Sequence, residues 1–327
     1  MERLPAFELK RPASLAQAIE WLAATPEARA IAGGTDLVPN LRDGIGAPPV
    51  LVDLSRVPGF DVLEVRTAGA RIGAGVTLAR LASDAGVAAA LPAVSAAAAS
   101  IAGPGHRSVA TVGGNLCVDT RCVYYNQSEW WRKSNGYCLK HRGDTCHVAP
   151  TGTRCHAAYQ GDLAPALIAC GASVELAGTR GTRTIALEDL YRDDGRAHLA
   201  LEPGELVVAV VVPAQPRGAV SAYRKARARG AIDFPLAGVA VRLAIGAGGI
   251  AAIDVALTGT NSRPFRLAGT DAWVGRAVDD ALLAEIGKAV QKQVSPMRTT
   301  VTQSNWRRQV ASVEAQRLVR ELAKASA

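Results

Sequence analysis

Apolar positions recur at helical spacing from Ser14 to Ala24 and then contract to Ala30-Ile31-Ala32, a predicted strand that stops at Gly33-Gly34-Thr35-Asp36. A Gly pair at a strand end marks a turn where backbone approaches something closely. Another strand is predicted around Val50 to Leu54, and alternation returns from Ala70 to Thr77. The uncharged run from Ala85 to Gly105 is long enough to raise a membrane span. Ala and Ser dominate it, however, and Gly86, Pro92, Gly103 and Pro104 interrupt it, so it reads as a pair of buried or Ala-faced helices. A second Gly pair follows in Thr111-Val112-Gly113-Gly114-Asn115. Farther on, Asp162 to Leu167 opens a helix, and strands are predicted at Ser173 to Leu176 and at Leu206 to Val212, the latter closed by Pro213. From Val220 the pattern reads strand, helix and strand again, with strands at Val239 to Ala244 and Ala251 to Thr258. Amphipathic helices are predicted over Asp280 to Gln293 and Ser304 to Lys324. A domain boundary is placed near Gly218.

Between Val118 and Ala157 the texture changes. This stretch holds Tyr124, Tyr125, Trp130, Trp131 and Tyr137, and four of the 6 cysteines. Arg121, Arg132, Lys133, Lys140, Arg142 and Arg154 outnumber Asp119, Glu129 and Asp144, which leaves a net +3. It reads as an insertion with few regular elements, held by something other than a hydrophobic face.

Composition narrows the class. At 327 residues, 49% hydrophobic and 20% charged, the chain has ample length for about two domains, and its usage excludes collagen, coiled coil and wholesale disorder. The net charge of +8 favours acidic partners or nucleic acid. Charge and Pro in Met1 to Lys10 stand where a signal peptide needs its apolar stretch, so a cytoplasmic location with no membrane anchoring is expected. Thiols are kept reduced there, which turns the cysteines from a disulfide framework toward metal binding or plain burial.

Two constellations carry chemistry. The Gly pairs suit a phosphate-rich cofactor, because Gly lets N–H groups approach an anion unobstructed, although ordinary turns use the same residues. Neither is followed by Gly-Lys-Ser/Thr, and Gly73-Ala74-Gly75 has Leu78 where a dinucleotide fingerprint needs its third Gly. Cys122, Cys138, Cys146 and Cys155 have 15, 7 and 8 residues between them. No Cys-x-x-Cys knuckle occurs, which weakens zinc, but His141, His147 and His156 keep it open. Four thiolates are the ligand set of a 4Fe-4S cluster, and unligated thiols are the third possibility. Cys170, in an apolar run, reads as a small buried hydrophobe.

Ala32-Gly33-Gly34-Thr35-Asp36, Thr111 to Leu116, Gly161-Asp162-Leu163 and Tyr223-Arg224-Lys225 followed by Arg229 and Asp233 occur in one order across most of the chain. Together they resemble the FAD-binding medium subunits of the xanthine dehydrogenase and carbon monoxide dehydrogenase family. The resemblance implies an α+β chain with the vanillyl-alcohol-oxidase-like FAD-binding fold: two α/β subdomains, 1–57 and 58–218, and a C-terminal α+β domain, 219–327. It implies FAD contacts at Arg29, Ala30, Ile31, Ala32, Gly33, Gly34, Thr35 and Asp36 and at Thr111, Gly113, Gly114 and Asn115. Thr77, Asp162, Leu206 and Lys225 are further implied contacts. Packing is the alternative for Thr77 and Leu206, a helix-dipole charge for Asp162, and a solvated basic face for Lys225.

The 118–157 segment departs from most of that family and is similar to the insertion of 4-hydroxybenzoyl-CoA reductase β subunits. This similarity implies a 4Fe-4S cluster on Cys122, Cys138, Cys146 and Cys155, with Cys117 and Cys170 outside the ligand set. It also implies a molybdopterin-binding large subunit, a small subunit with two 2Fe-2S clusters, a dimer of heterotrimers and ferredoxin as electron donor. Electrons then run by way of 4Fe-4S, FAD and 2Fe-2S to molybdenum, for reductive removal of a phenolic hydroxyl, and no catalytic residue is assigned to this chain. The rival readings are an ordinary molybdenum hydroxylase flavoprotein whose insertion binds nothing, and a zinc-stabilised nucleic-acid-binding protein using the aromatic, basic insertion for base stacking.

Overall fold

The computed structural model describes residues 3–326; Met1 and Glu2, which begin the charged N-terminal segment, and Ala327 lie outside the described residues. Strands β1 (Glu8–Lys10), β2 (Arg29–Ile31) and β3 (Val50–Asp53) form a sheet of order β1-β3-β2 with both pairings parallel. Parallel neighbours need crossovers, supplied by α1 (Leu15–Ala24) and α2 (Leu37–Arg42). The first of these starts at Ser14, whose hydroxyl accepts from the Gln17 amide at 3.2 Å.

Strands β4 (Leu63–Arg66), β5 (Gly69–Gly73), β6 (Ser173–Gly178), β7 (Gly181–Ala186) and β8 (Leu206–Pro213) form a second sheet, ordered β4-β5-β8-β6-β7. Every pairing in it is antiparallel. The implied pair of α/β subdomains is therefore corrected: only the first has parallel strands, because the hairpins β4–β5 and β6–β7 reverse the chain without a crossover. Strand β7 escapes the sequence pattern because it is an edge strand exposed along most of its length. Helices α3 (Leu78–Ser83), α4 (Ala85–Ala90), α5 (Pro92–Ser100), α6 (Pro104–Arg107) and α7 (Val112–Leu116) follow β5. The uncharged Ala-rich run thus forms α4 and α5, and Pro92 opens the latter at its first turn. No helix among the described residues is long and apolar enough to cross a membrane.

The insertion contributes α8 (Glu129–Ser134), and α9 (Leu163–Ala169) follows it, buried at all seven positions. Beyond lie β9 (Val220–Ala226), β10 (Ala237–Gly246), β11 (Gly249–Thr258) and β12 (Phe265–Arg266), an antiparallel sheet of order β12-β11-β10-β9. The helix predicted after Val220 is absent. Strands β9 and β10 are direct neighbours, and residues 227–236 turn back as a loop in which the Asp233 carboxylate accepts from the amides of Ala228 and Arg229 at 3.0 Å each.

Helices α10 (Asp280–Gln293) and α11 (Ser304–Ala325) match their predicted ranges closely and cover one face of this sheet, against Val239, Val241, Val255 and Leu257. Tyr223, Ala240 and Ala256 point the other way, into the core that also holds buried residues of α5 and α9. Burial on both faces is why β10 reads as a nearly continuous apolar run. Gly287 permits the helices to approach, since a Cβ there would lie 2.3 Å from the Gln316 amide nitrogen.

Candidate functional site

Strand β2, an edge strand, delivers the first Gly pair to the surface. Arg29, Ala30 and Gly33 are exposed, while Ile31, Ala32, Gly34, Thr35 and Asp36 are half-buried. Gly34 has φ +68°, which glycine adopts freely. Gly33 is pressed against the segment that leads into the second pair: a Cβ there would stand 2.1 Å from the Val109 carbonyl oxygen. The backbone N–H groups of Gly33, Gly34, Thr35 and Asp36 have no acceptor within the described residues. Four consecutive unclaimed donors on partly exposed backbone are suited to an anion.

The second Gly pair differs from its predicted form. It is the first turn of α7, capped by Thr111, whose hydroxyl accepts from the Gly114 amide at 3.2 Å. Val112 and Gly113 donate to the Val76 and Ala74 carbonyls at 2.9 and 2.8 Å. Its donors are already engaged, so what it offers a ligand is close approach. A Cβ on Gly113 would meet the Ala74 Cβ at 2.9 Å, whereas one on Gly114 would meet only the Thr111 hydroxyl, at 3.1 Å, with open space beyond. Thr77 pairs with Thr111 in an isolated antiparallel bridge and caps α3, accepting from the Arg80 amide at 3.2 Å. Asn115 turns inward, where its Oδ1 accepts from the Leu163 amide at 3.0 Å.

Three further implied contacts are engaged within the protein. Asp162 and Lys225 face one another, 3% and 4% exposed, with Nζ 3.0 Å from the carboxylate. The Tyr223 hydroxyl donates to the same carboxylate at 2.7 Å, and Lys225 also donates to the Ser100 carbonyl at 3.2 Å. Burial pushes the Asp162 carboxyl up, opposed by the Lys225 charge. These residues tie the start of α9 to β9, and the solvated-face alternative for Lys225 is overturned by the same burial. Leu206, the apolar first residue of β8, packs with Ala18, Ile19, Val50 and Val52 in the core between the first two sheets, so its side chain takes the packing role that was its alternative.

The insertion is a closed loop. Arg121 and Ala158 exchange both backbone hydrogen bonds at 2.8 Å, which brings its ends together. Cys122, Cys138, Cys146 and Cys155 are all buried and all line one small pocket, with Tyr124, Tyr125 and Lys140 among its other walls. Burial pushes the Cys122 thiol up to about 12 and the Cys155 thiol up to about 11. No group of three or more His, Cys, Asp or Glu among the described residues is arranged to hold a metal ion. Cys117 and Cys170 lie outside this pocket, with Cys170 in the main core and Cys117 packed against it.

The insertion's net charge is mostly structural. Arg132 is buried and donates to the carbonyls of Tyr125, Gln127, Asp43 and Gly44. Lys140, 5% exposed, is bound to Asp119 at 2.7 Å and lies 4.3 Å from the Tyr125 ring centre. Arg142 and Arg154 pair with Glu129 and Asp193. Much of the +3 balance is therefore tied up in internal pairs, with Lys133 and Arg142 its exposed members. The aromatic rings also turn inward, Tyr124 against Trp131 and His147, and Tyr125 and Tyr137 against His141; Trp130 is the insertion's strongly exposed ring. That arrangement removes the base-stacking platform on which the nucleic-acid reading depended.

Comparison with known proteins bears on the whole chain. Residues 5–215 match the family described as the FAD binding domain in molybdopterin dehydrogenase, and residues 221–322 match the CO dehydrogenase flavoprotein C-terminal domain. The aldehyde oxidoreductase FAD-binding subunit PaoB of Escherichia coli (strain K12) is 35% identical over 294 residues, covering 86% of this chain and 91% of its own. The carbon monoxide dehydrogenase medium chain of Afipia carboxidovorans is 30% identical over 327 residues, with 98% of each chain covered. A crystal structure of Cu,Mo-CO dehydrogenase superimposes with a TM-score of 0.81 at 27% identity, covering 99% of this chain and 100% of that one.

Proposed function

Because the chain belongs to the FAD-binding medium-subunit family of the molybdenum-containing xanthine and carbon monoxide dehydrogenases, we propose that it is the flavin subunit of a reductase whose insertion adds a 4Fe-4S cluster. The observation that carries this reading is the convergence of Cys122, Cys138, Cys146 and Cys155 on one buried pocket. Four thiols are the ligand number of a 4Fe-4S cluster, and no His or Cys group among the described residues is drawn together around a single ion. Zinc needs its sulfurs gathered about 2.3 Å from one point, whereas a cluster sets an inorganic core between them.

The residues divide the work. Gly33 to Asp36 present unclaimed amides to the FAD pyrophosphate, Gly114 leaves its approach open, and Thr77 and Thr111 fix the two segments side by side. Asp162 and Lys225 act from behind, locking the C-terminal domain against this cleft. When bound, the cluster supplies one-electron transfer at low potential and FAD supplies two-electron storage. Substrate binds elsewhere in the complex, on the proposed molybdopterin-binding large subunit, with a 2Fe-2S small subunit between, in a cytoplasmic dimer of heterotrimers.

The substrate class proposed is that of 4-hydroxybenzoyl-CoA reductases. Two electrons and two protons convert the phenolic C–OH to C–H and release water. A ferredoxin-class donor supplies the electrons at the insertion. A second reading is favoured by the relatives named for aldehyde and carbon monoxide oxidation: a family hydroxylase subunit that passes electrons outward, with the insertion empty.

One deletion separates them. Residues 122–157 are replaced by Asn-Gly, a two-residue turn that suits the paired strands at Arg121 and Ala158. In the assembled complex this variant should keep its FAD and its reduction by dithionite but lose stopped-flow reduction by a low-potential ferredoxin. Reduction by ferredoxin at the parent rate would sink the proposal.

A further inference from the structure

Arg121 is the point at which three parts of the molecule meet. Its backbone closes the neck of the insertion against Ala158, and its chain neighbour Cys122 lines the cysteine pocket. Its guanidinium reaches back to the first Gly loop, where one nitrogen donates to the Asp36 carboxylate and another to the Asn40 Oδ1 at 3.0 Å. Asn40 in turn donates to the other Asp36 oxygen at 3.3 Å, so both oxygens of that carboxylate are held. The guanidinium also lies 4.7 Å from the ring centre of Phe234, in the loop from the C-terminal domain.

Asp36 is the last of the four residues with unclaimed amides, and the first turn of α2 begins immediately after it. An aspartate beside an anion site is unfavourable unless its charge is matched; here one guanidinium nitrogen matches it directly and the other holds Asn40, which fixes the second carboxylate oxygen. We infer that Arg121 is a positioning residue for FAD: by neutralising and fixing Asp36 from the neck of the insertion, it holds the Gly33–Asp36 amides in the arrangement that takes the pyrophosphate. The inference rests on the assignment of FAD to this cleft and is independent of what the cysteine pocket holds. It explains why the deletion above should begin at residue 122: removing Arg121 as well would leave Asp36 without its cation.

The test is FAD titration of flavin-stripped full-length chain, followed by flavin fluorescence, for the parent, Arg121→Met, Asp36→Asn and the double variant. Flavin binding by the parent reports on the underlying assignment, and the variants report on the inference. Arg121→Met is expected to weaken FAD about tenfold, because the unmatched carboxylate then repels the pyrophosphate. Asp36→Asn removes that repulsion and should restore most of the affinity when combined with Arg121→Met; the flavin-free thermal midpoint of Arg121→Met should stay near the parent's and its weakening should shrink at high salt, neither of which a purely structural loss would show. Asp36→Asn is nearly isosteric and supplies a folded variant in its own right; alone it should cost less than Arg121→Met. Parent affinity in Arg121→Met, or a double variant weaker than Arg121→Met alone, would overturn the inference.

Discussion

Replacing any one of Cys122, Cys138, Cys146 or Cys155 by Ser is expected to remove most of the iron from the anaerobically purified chain, while Cys117→Ser and Cys170→Ser keep it. A serine hydroxyl is a far poorer donor to iron than a thiolate, and a cubane with one corner unligated is open to loss of its metal. The thiol and hydroxyl are close in size, so the substitution changes the packing of the pocket little, while the buried hydroxyl costs some stability. Cys170 is 1% exposed in the main core, so its Ser variant should lose stability but no iron. Iron content measured beside the thermal midpoint separates the two effects. Iron retained by all four pocket variants would show that these cysteines are not the ligands.

The glycines give the second large effect, and the structure sharpens which one to change. Gly34→Val is a poor probe because φ +68° strains any larger residue whether or not a ligand is present. Gly33→Ala puts a methyl 2.1 Å from the Val109 carbonyl, so the loop must move, and both stability and FAD should fall. Gly114→Ala is the informative change. Its methyl meets only the Thr111 hydroxyl, at 3.1 Å, and alanine in a helix is favoured over glycine by about 1 kcal/mol. The flavin-free variant should keep a thermal midpoint close to the parent's, the helix gain offsetting the small shift the Thr111 hydroxyl must make, while binding FAD at least ~10-fold more weakly, because the methyl stands on the exposed face proposed to take the ligand. Unchanged FAD affinity in Gly114→Ala would remove α7 from the site.

Much of this was legible from residues alone where local rules decide. Amphipathic spacing marked α10 and α11, and the interruptions of the Ala-rich run marked a pair of helices in place of one span. What failed needed partners distant in sequence. The antiparallel second sheet depends on β5 pairing with β8, more than 130 residues later in the chain, which no local pattern encodes. The state of the second Gly pair turned on Thr111 capping a helix, although a Thr three residues before Gly114 was a signal that could have been read.

Charge was the least legible property. Arg132 and Lys140 look like solvated basic residues in sequence, and only the fold shows one bonded to loop carbonyls and the other paired with Asp119. Arg121 was counted among the same charges, and its contact with Asp36 spans 85 positions. The four pocket cysteines, in contrast, were singled out by their crowding in a short segment, and the fold brings them to one place.

The central claim is that one chain carries both flavin and an iron–sulfur cluster. It is tested most directly by purifying the protein without oxygen, quantifying iron, acid-labile sulfide and FAD, and recording the electron paramagnetic resonance spectrum after dithionite reduction. The account predicts about four iron and four sulfide per FAD, with the rhombic signal of a reduced 4Fe-4S cluster. A stoichiometric flavoprotein with no iron and no such signal would contradict it.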